Sequence, residues 1–218
     1  MKLNLLLCLN LFLAAVAPAA DVSLSIPDGT PVGVMSSLNV TSTIDHITNV
    51  QVTLNISGGY NGDLYAYLVH DSGFAVLLDR PGRSVALPYG YSDGGLNVTL
   101  ADGAANGDIH RYRNVTIPSG PLTGLWAPDG RATSPFVALD TDARTTALSV
   151  FNGLNPNGEW TLFVADMDSG YLNTLVSWGL EIQGTQTPAI CVPPPAGLVA
   201  WWMQRVCMRV VAQVSNLL

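Results

Sequence analysis

An all-β fold, an antiparallel β-sandwich or jelly roll in a single domain, is what the sequence predicts, and three observations carry that prediction. The 218 residues include 21 glycines and 14 prolines, a composition typical of short strands separated by many turns. Several segments alternate apolar and polar residues with a period of two, the pattern of a strand with one buried face. No segment after residue 20 shows the 3.6-residue period of an amphipathic helix.

The strongest strand signal lies in residues 151–184. Residues 176–182 alternate strictly, with Trp178 on the apolar side, and residues 160–165 are apolar on both sides apart from Thr161. The turn residues Asn155 to Gly158 precede the first of these strands. We therefore expect a hairpin whose two strands each place one tryptophan, Trp160 or Trp178, in the core.

Shorter segments supply the other strands, at intervals of 8–12 residues that are typical of a sandwich. We expect strands over residues 35–40, 48–56, 63–69, 74–78, 96–100, 113–117, 136–139 and 147–151. The segment His70-Asp-Ser-Gly73 between two of them reads as a tight turn.

The first 20 residues resemble a cleaved secretory signal. Lys2 precedes an apolar run from Leu3 to Ala17, and small residues lead up to Asp21. The run is shorter than the roughly 20 residues that span a bilayer, so we expect a secreted or cell-surface protein that is not held in a membrane after cleavage. We divide the chain into a signal peptide (1–20), a jelly-roll domain (21–184) and a Pro-rich linker with a tail (185–218).

The charge balance of the body excludes one class of partner. All 16 acidic residues but only six arginines lie between residues 21 and 185, a balance of −10. Such a surface repels a phosphate backbone, so we expect no nucleic acid partner. It attracts cations, above all calcium in an extracellular setting. The body has no cysteine, because Cys8, Cys191 and Cys207 lie in the signal and the tail.

Three separate motifs in the body resemble the P domain (P/Homo B domain) of proprotein convertases, in its bacterial secreted form. They are Ile26-Pro-Asp-Gly29, then Gly62-Asp-Leu64 with the Ser72-Gly73 turn, and the closing Asn157-Gly-Glu-Trp-Thr-Leu162 with Asp166 and Trp178-Gly-Leu180. The resemblance covers about residues 24–184. Many bacterial relatives carry Phe-Asp-Asp where this chain has Leu100-Ala-Asp102, a departure that removes one of two adjacent carboxylates.

The resemblance implies an eight-stranded jelly roll that follows a subtilisin-like serine protease domain and stabilises it without contributing catalytic residues. The expected partner is therefore a protease or surface-protein domain. The tail from Cys191 to Trp202 resembles the lead-in to a laminin-G-like domain. Because such a domain is much longer, we interpret the chain after Trp202 as truncated or frame-shifted, with a short sorting tail as the alternative.

The sequence offers no recognisable catalytic centre, so we expect no enzymatic activity of this chain. None of His46, His70 and His110 lies in a protease signature, and no Gly-x-Ser-x-Gly occurs. His70, Asp71 and Ser72 are adjacent in the chain, but neighbours in a tight turn point in different directions.

Five aspartates are the candidate metal ligands, with calcium as the expected ion. Asp166 and Asp168 are spaced at i and i+2 before Gly170, as in calcium loops, although the later glutamate of an EF-hand is missing. Asp63, Asp102 and Asp108 are candidate ligands from other loops. The alternative is a set of solvated acidic turns.

A carbohydrate- or cell-surface-binding sandwich is the second functional hypothesis. Five tyrosines in loops and strands are candidates for stacking on sugar rings, although core and edge packing is the alternative role. They are Tyr60, Tyr65, Tyr67, Tyr89 and Tyr91.

Overall fold

Two β-sheets packed face to face form the part of the chain that the structure, a computed structural model, describes, residues 12–187. The nine strands are β1 (Phe12–Ile26), β2 (Thr30–Val40), β3 (His46–Gly58), β4 (Leu64–His70), β5 (Gly73–Asp79), β6 (Leu96–Ala101), β7 (Leu122–Trp126), β8 (Gly158–Asp166) and β9 (Asn173–Thr185). Three short 3₁₀ helices span Asn61–Asp63, Ile109–Asn114 and Leu148–Phe151. The laminin-G-like start and most of the predicted linker and tail lie outside the described residues.

The strand order is β1-β9-β3-β6-β7 in one sheet and β2-β8-β4-β5 in the other. This arrangement confirms the predicted all-β sandwich. One pair departs from the antiparallel expectation, because β6 and β7 run parallel from Leu96 opposite Leu122 onward. A parallel pair needs a crossover connection, which residues 102–121 provide with the helix Ile109–Asn114.

The predicted hairpin of the two closing strands is wrong. β8 pairs with β2 and β4, whereas β9 pairs with β1 and β3 in the other sheet. Residues 167–172 therefore cross from one sheet to the other. The alternation of residues fixes which face of a strand is buried, and it says nothing about which sheet the strand joins.

The core lies between the sheets and contains the two predicted tryptophans. Trp160 and Trp178 are fully buried, one from each sheet. Their indole N–H groups donate to the Pro156 carbonyl (2.9 Å) and to Ser36 Oγ (2.8 Å). Both large rings are thus buried without an unsatisfied donor.

Three predicted strands are wrong, and two strands are missed. Residues 113–117 and 147–151 overlap 3₁₀ helices, and residues 136–139 lie in a turn and the irregular segment after it. One missed strand is β1, most of which lies in the predicted signal peptide. The other is β7, whose flanking Gly120-Pro121 and internal Gly124 are residues that weaken a strand pattern.

Residues 12–20 of the predicted signal peptide form the first half of β1. This placement belongs to the uncleaved chain, and cleavage stays a prediction. The compact unit that holds the sandwich is Leu11–Gln186. Within residues 12–187, no helix has the length and apolar character that crossing a bilayer requires.

Candidate functional site

Arg80 joins the Gly62-Asp-Leu64 motif to the loop that follows the closing Asp166. Its Nη2 lies 3.5 Å from Asp63 Oδ1 and 3.2 Å from Asp168 Oδ2, and its Nε donates to the Gly62 carbonyl at 2.6 Å. The arginine is 5% exposed and adopts a φ of +54°. A non-glycine residue in this left-handed region carries strain that surrounding contacts must offset, and the three polar contacts do so here.

The loop between β8 and β9 is fixed over the same place. Asp166 is fully buried, and its Oδ2 accepts a hydrogen bond from Asn173 Nδ2 at 2.8 Å. Asp28, between β1 and β2, accepts the Gly170 N–H at 3.1 Å, and the Met167 N–H donates to the Asp63 carbonyl at 2.7 Å. We call Asp28, Asp63, Arg80, Asp166 and Asp168 the Arg80 cluster.

The Arg80 cluster holds more carboxylates than its single guanidinium neutralises. Burial raises the pKa of Asp63 to about 7, and the Asp166 and Asp168 carboxylates add to the rise while Arg80 opposes it. Burial also raises the pKa of Asp166. The buried carboxyls of Asp63 and Asp166 therefore keep a proton to higher pH than exposed aspartates do.

Three of the five predicted metal ligands meet in this cluster, and two lie elsewhere. Asp102 accepts the N–H groups of Leu148 and Ser149 at 3.0 and 2.7 Å. Asp108 Oδ2 lies 2.9 Å from Arg131 Nη2. No group of three or more His, Cys, Asp or Glu side chains among residues 12–187 is arranged to hold a metal ion.

A second buried network links the residues around His110. Its Nδ1 lies 2.8 Å from Asp129 Oδ2 and its Nε2 lies 2.9 Å from the Arg83 carbonyl. Arg131 Nη1 donates to Asp129 Oδ1 at 2.8 Å. Burial lowers the pKa of His110, but the hydrogen bond and charge of Asp129 outweigh it and raise the pKa. With an acceptor at each ring nitrogen, His110 is suited to be a buried imidazolium.

Asp79, next to this network, has a buried carboxyl group without hydrogen-bond partners in the described part of the chain. It is fully buried, and neither carboxylate oxygen has a hydrogen-bond partner among the described residues. Burial raises the pKa of Asp79 to about 8, with a further rise from the Asp129 carboxylate. The raised pKa favours the protonated form of Asp79 at neutral pH.

His70 and His110 have both ring nitrogens engaged with main-chain carbonyls or a carboxylate, and His46 Nδ1 lies 3.2 Å from the Gly153 carbonyl. Ser84 shares a cavity of about 180 Å³ with His110, but the Ser84 Oγ accepts the Leu87 N–H and the His110 Nε2 faces the Arg83 carbonyl. His70 bonds the Glu159 and Asn155 carbonyls and stacks on Trp160 at 4.1 Å. The residues after it, Asp71 and Ser72, form the predicted turn between β4 and β5.

Aromatic side chains cover the outer face of the four-stranded sheet. Tyr67 on β4 lies between Phe163 on β8 (centroids 4.7 Å apart) and Phe74 on β5 (5.1 Å). Tyr65 contacts Tyr67 and Phe163 at 5.8 and 6.4 Å. Met35, opposite Phe163 in the register, is 68% exposed. We call Met35, Tyr65, Tyr67, Phe74 and Phe163 the aromatic face.

The rings of the aromatic face pack against one another. The Tyr67 and Phe163 rings are within 18° of parallel, and a Cβ at Gly33 would lie 2.6 Å from Phe163 Cζ. One flat side of each of these two rings is therefore covered by the other ring.

The predicted sugar-binding tyrosines do not form one surface. Only Tyr65 and Tyr67 belong to the aromatic face. Tyr60 packs edge-on against Tyr171 at 4.8 Å, and Tyr91 lies under the Arg113 guanidinium at 4.8 Å. Tyr89 is 69% exposed.

Comparison with known proteins gives structural similarity alone. No family model matches the chain, and no curated protein matches it. Two solved structures that resemble it are the Aeromonas sobria serine protease in complex with its chaperone (14% identity, TM-score 0.43) and the same protease alone (14%, 0.42). They cover 80% and 78% of this chain. The chain spans 27% of the length of each of those proteins. Similarity at this level identifies neither an activity nor a partner.

Sequence reasoning missed the charged residues that organise both clusters. Arg80 follows Asp79 directly at the end of an apolar strand, and a charged pair in such a place is a signal of a buried ion pair. Asp28 lies in the Ile26-Pro-Asp-Gly29 motif, but the sequence does not indicate that it belongs to the site. Asp129 and Arg131 lie in a loop with no local pattern, so only the long-range contacts reveal them.

Proposed function

We propose that this chain is an exported, non-catalytic module of the P/Homo B kind, which stabilises or docks a neighbouring domain such as a subtilisin-like serine endopeptidase. The observation that carries the proposal is the aromatic face. Its most exposed members, Met35 and Phe74, are 68% and 39% exposed. Exposed apolar patches on soluble domains mark interaction sites.

The Arg80 cluster supports the family part of the proposal. Asp28, Asp63 and Asp166 are separated in the sequence by 35 and 103 positions, yet all three are tied to the loop between β8 and β9. Arg80 connects Asp63 to Asp168 of that loop, the Asp63 carbonyl accepts the Met167 N–H, and Asp28 accepts the Gly170 N–H. Motifs that converge in space in this way support the resemblance.

The test is affinity capture from the culture supernatant of the source organism. We expect the wild-type chain to enrich a subtilisin-like protease, identified by mass spectrometry, and the double variant Tyr67→Ser/Phe163→Thr to lose it. Tyr171→Ser is the matched control, because Tyr171 is 59% exposed and lies outside the aromatic face. Equal capture by wild type and double variant, or capture of no protease, contradicts the proposal.

Carbohydrate binding is the second candidate, favoured by the exposure of Tyr89. The packing of Tyr67 against Phe163 argues against it, because sugars stack on the flat sides of rings. Affinity electrophoresis in polysaccharide gels tests it: retardation that Tyr89→Ser abolishes would replace docking as the leading function.

Calcium is the ion that the sequence predicts, and the residues of the Arg80 cluster as arranged do not fit it. The raised pKa values of Asp63 and Asp166 and the buried, unpartnered Oδ1 of Asn173 favour a cation. The guanidinium of Arg80 already lies among the carboxylates, and the described residues provide no ready three-ligand set. As arranged, these side chains do not form a calcium site, and no step of the docking function depends on one.

A further inference from the structure

The edge strand β1 pairs with β9 in three successive registers. Residues 12–17 pair with β9 from Phe12 opposite Thr185 to Ala17 opposite Leu180. Pairing then breaks over Pro18-Ala19 and resumes at Ala20, and a second shift follows Asp21. Proline has no N–H to donate, so its place in an irregularity is expected. We call residues 12–17 the leading half of β1.

The leading half seats alternate side chains in the sandwich. Leu13, Ala15 and Ala17 are partly buried against the core, whereas Ala14 is exposed and Val16 is 68% exposed. The groove beside β9 that these side chains fill thus accepts small or aliphatic side chains at every second position. None of residues 12–17 is charged.

Cleavage of the predicted signal peptide removes the leading half and leaves the rest of the sheet. Over Leu180–Thr185, β9 keeps β3 on one side, from Val52 opposite Leu180 to His46 opposite Thr185. Its other edge then has free N–H and C=O groups next to an emptied apolar groove. An edge of this kind is a template for another extended chain.

We infer that in the exported chain the opened edge of β9 binds an extended segment of a partner protein, antiparallel to β9, with small or aliphatic residues at alternate positions. The occupant is defined by the strand that sits there before cleavage. Self-pairing of two chains is disfavoured because the body of each carries a balance of −10. The inference rests on the export part of the proposed function.

The test uses a chain that begins at Asp21 and a labelled synthetic peptide with the sequence of residues 12–20. We expect saturable binding by fluorescence anisotropy and a raised Tm with excess peptide. Two peptides of equal charge serve as the matched pair. Ala15→Asp/Ala17→Asp, at inward positions, should weaken binding at least tenfold, and Ala14→Asp/Val16→Asp, at outward positions, should weaken it about threefold or less.

Three results overturn the inference. They are the absence of saturable binding, equal weakening by the two aspartate peptides, and a concentration-dependent dimer that excludes the peptide. If the chain from Asp21 does not fold, the same question is answered with full-length protein that carries a protease site after Ala20. After folding and cleavage, the released fragment should exchange with labelled peptide, and failure to exchange is equally decisive.

N-terminal sequencing of the exported protein separates this inference from the proposed function. A retained residue 12–20 segment contradicts processing during export, whatever the peptide does. A processed chain whose edge ignores the peptide contradicts the inference and leaves export and docking by the aromatic face untouched.

Discussion

Replacing Asp79 by asparagine should make the stability of the protein less dependent on pH. The Asp79 carboxyl is fully buried, neither oxygen has a partner among the described residues, and burial raises its pKa from 3.8 to about 8. In the unfolded chain the group loses its proton near its ordinary pKa. Between these two values the unfolded state binds fewer protons, so the wild-type free energy of unfolding falls as pH rises.

The magnitude follows from the size of the shift. One pKa unit corresponds to about 1.4 kcal/mol, so the full shift of Asp79 represents roughly 6 kcal/mol, similar to the stability of a whole domain. Relaxation and water entry reduce the cost of a buried charge. We therefore expect Asp79→Asn to equal wild type near pH 4 and to exceed it by about 2–4 kcal/mol at pH 9.

The assay is urea unfolding followed by tryptophan fluorescence at pH 4, 5, 6, 7, 8 and 9. Asp71→Asn, in the exposed turn between β4 and β5, is the matched control and should keep the wild-type profile. Parallel profiles for wild type and Asp79→Asn would refute the reasoning. They would mean that Asp79 has the same pKa in the folded and unfolded states, so that its neighbours would have to stabilise the buried charge.

Three further predictions concern the Arg80 cluster and β1. Arg80→Met leaves buried carboxylates without their cation and should lower the free energy of unfolding in urea by about 3–5 kcal/mol. Arg113→Met, at a partly exposed pair with Asp93, should lower it by about 1 kcal/mol or less. Equal losses would contradict the central role of Arg80. Because the Arg80 cluster as arranged does not form a calcium site, Tm in calcium should equal Tm in chelator. Bound Ca²⁺ at 100 times its Kd would add about 2.7 kcal/mol and raise Tm by roughly 5–10 °C, so a rise of that size that Asp166→Asn removes would contradict this expectation. The chain from Asp21 should keep its near-UV circular dichroism. Its free energy of unfolding should be about 2–3 kcal/mol lower, because the partly buried side chains of the leading half of β1 are gone. A lost tryptophan signal would show that residues 12–20 are needed for folding.

The sequence was sufficient where a strand alternates and its ends carry turn residues. β3 and β9 were located within a few residues on that basis, because most of each strand alternates between buried and less buried residues, although register shifts interrupt the pattern. The apolar residues 147–151 and 113–117 have no period, and there the chain forms 3₁₀ helices instead. β7 was missed because Gly124 interrupts a strand that gains its order from pairing with β6.

The candidate site was predictable only in part. Asp63, Asp166 and Asp168 were visible as acids in turns, but the partner that unites them, Arg80, is selected by burial and by three contacts between distant segments. The assignment of β8 and β9 to one hairpin failed for a related reason. Local alternation describes a strand, and long-range pairing decides its neighbours.

β9 pairs with β3 on one side and with β1 on the other, and cleavage after residue 20 would remove only the leading half of β1. At its first residue, Asn173 donates to the buried Asp166 and pairs with Gly58 of β3. At its last residues, the strand still pairs with β3 up to His46, while its outer edge is covered only by the leading half of β1. Because β3 holds β9 along its length, loss of the leading half opens a strand edge without releasing β9 from the core. If the inference holds, a partner's strand takes the place of the leading half while the Arg80 cluster and the aromatic face stay unchanged.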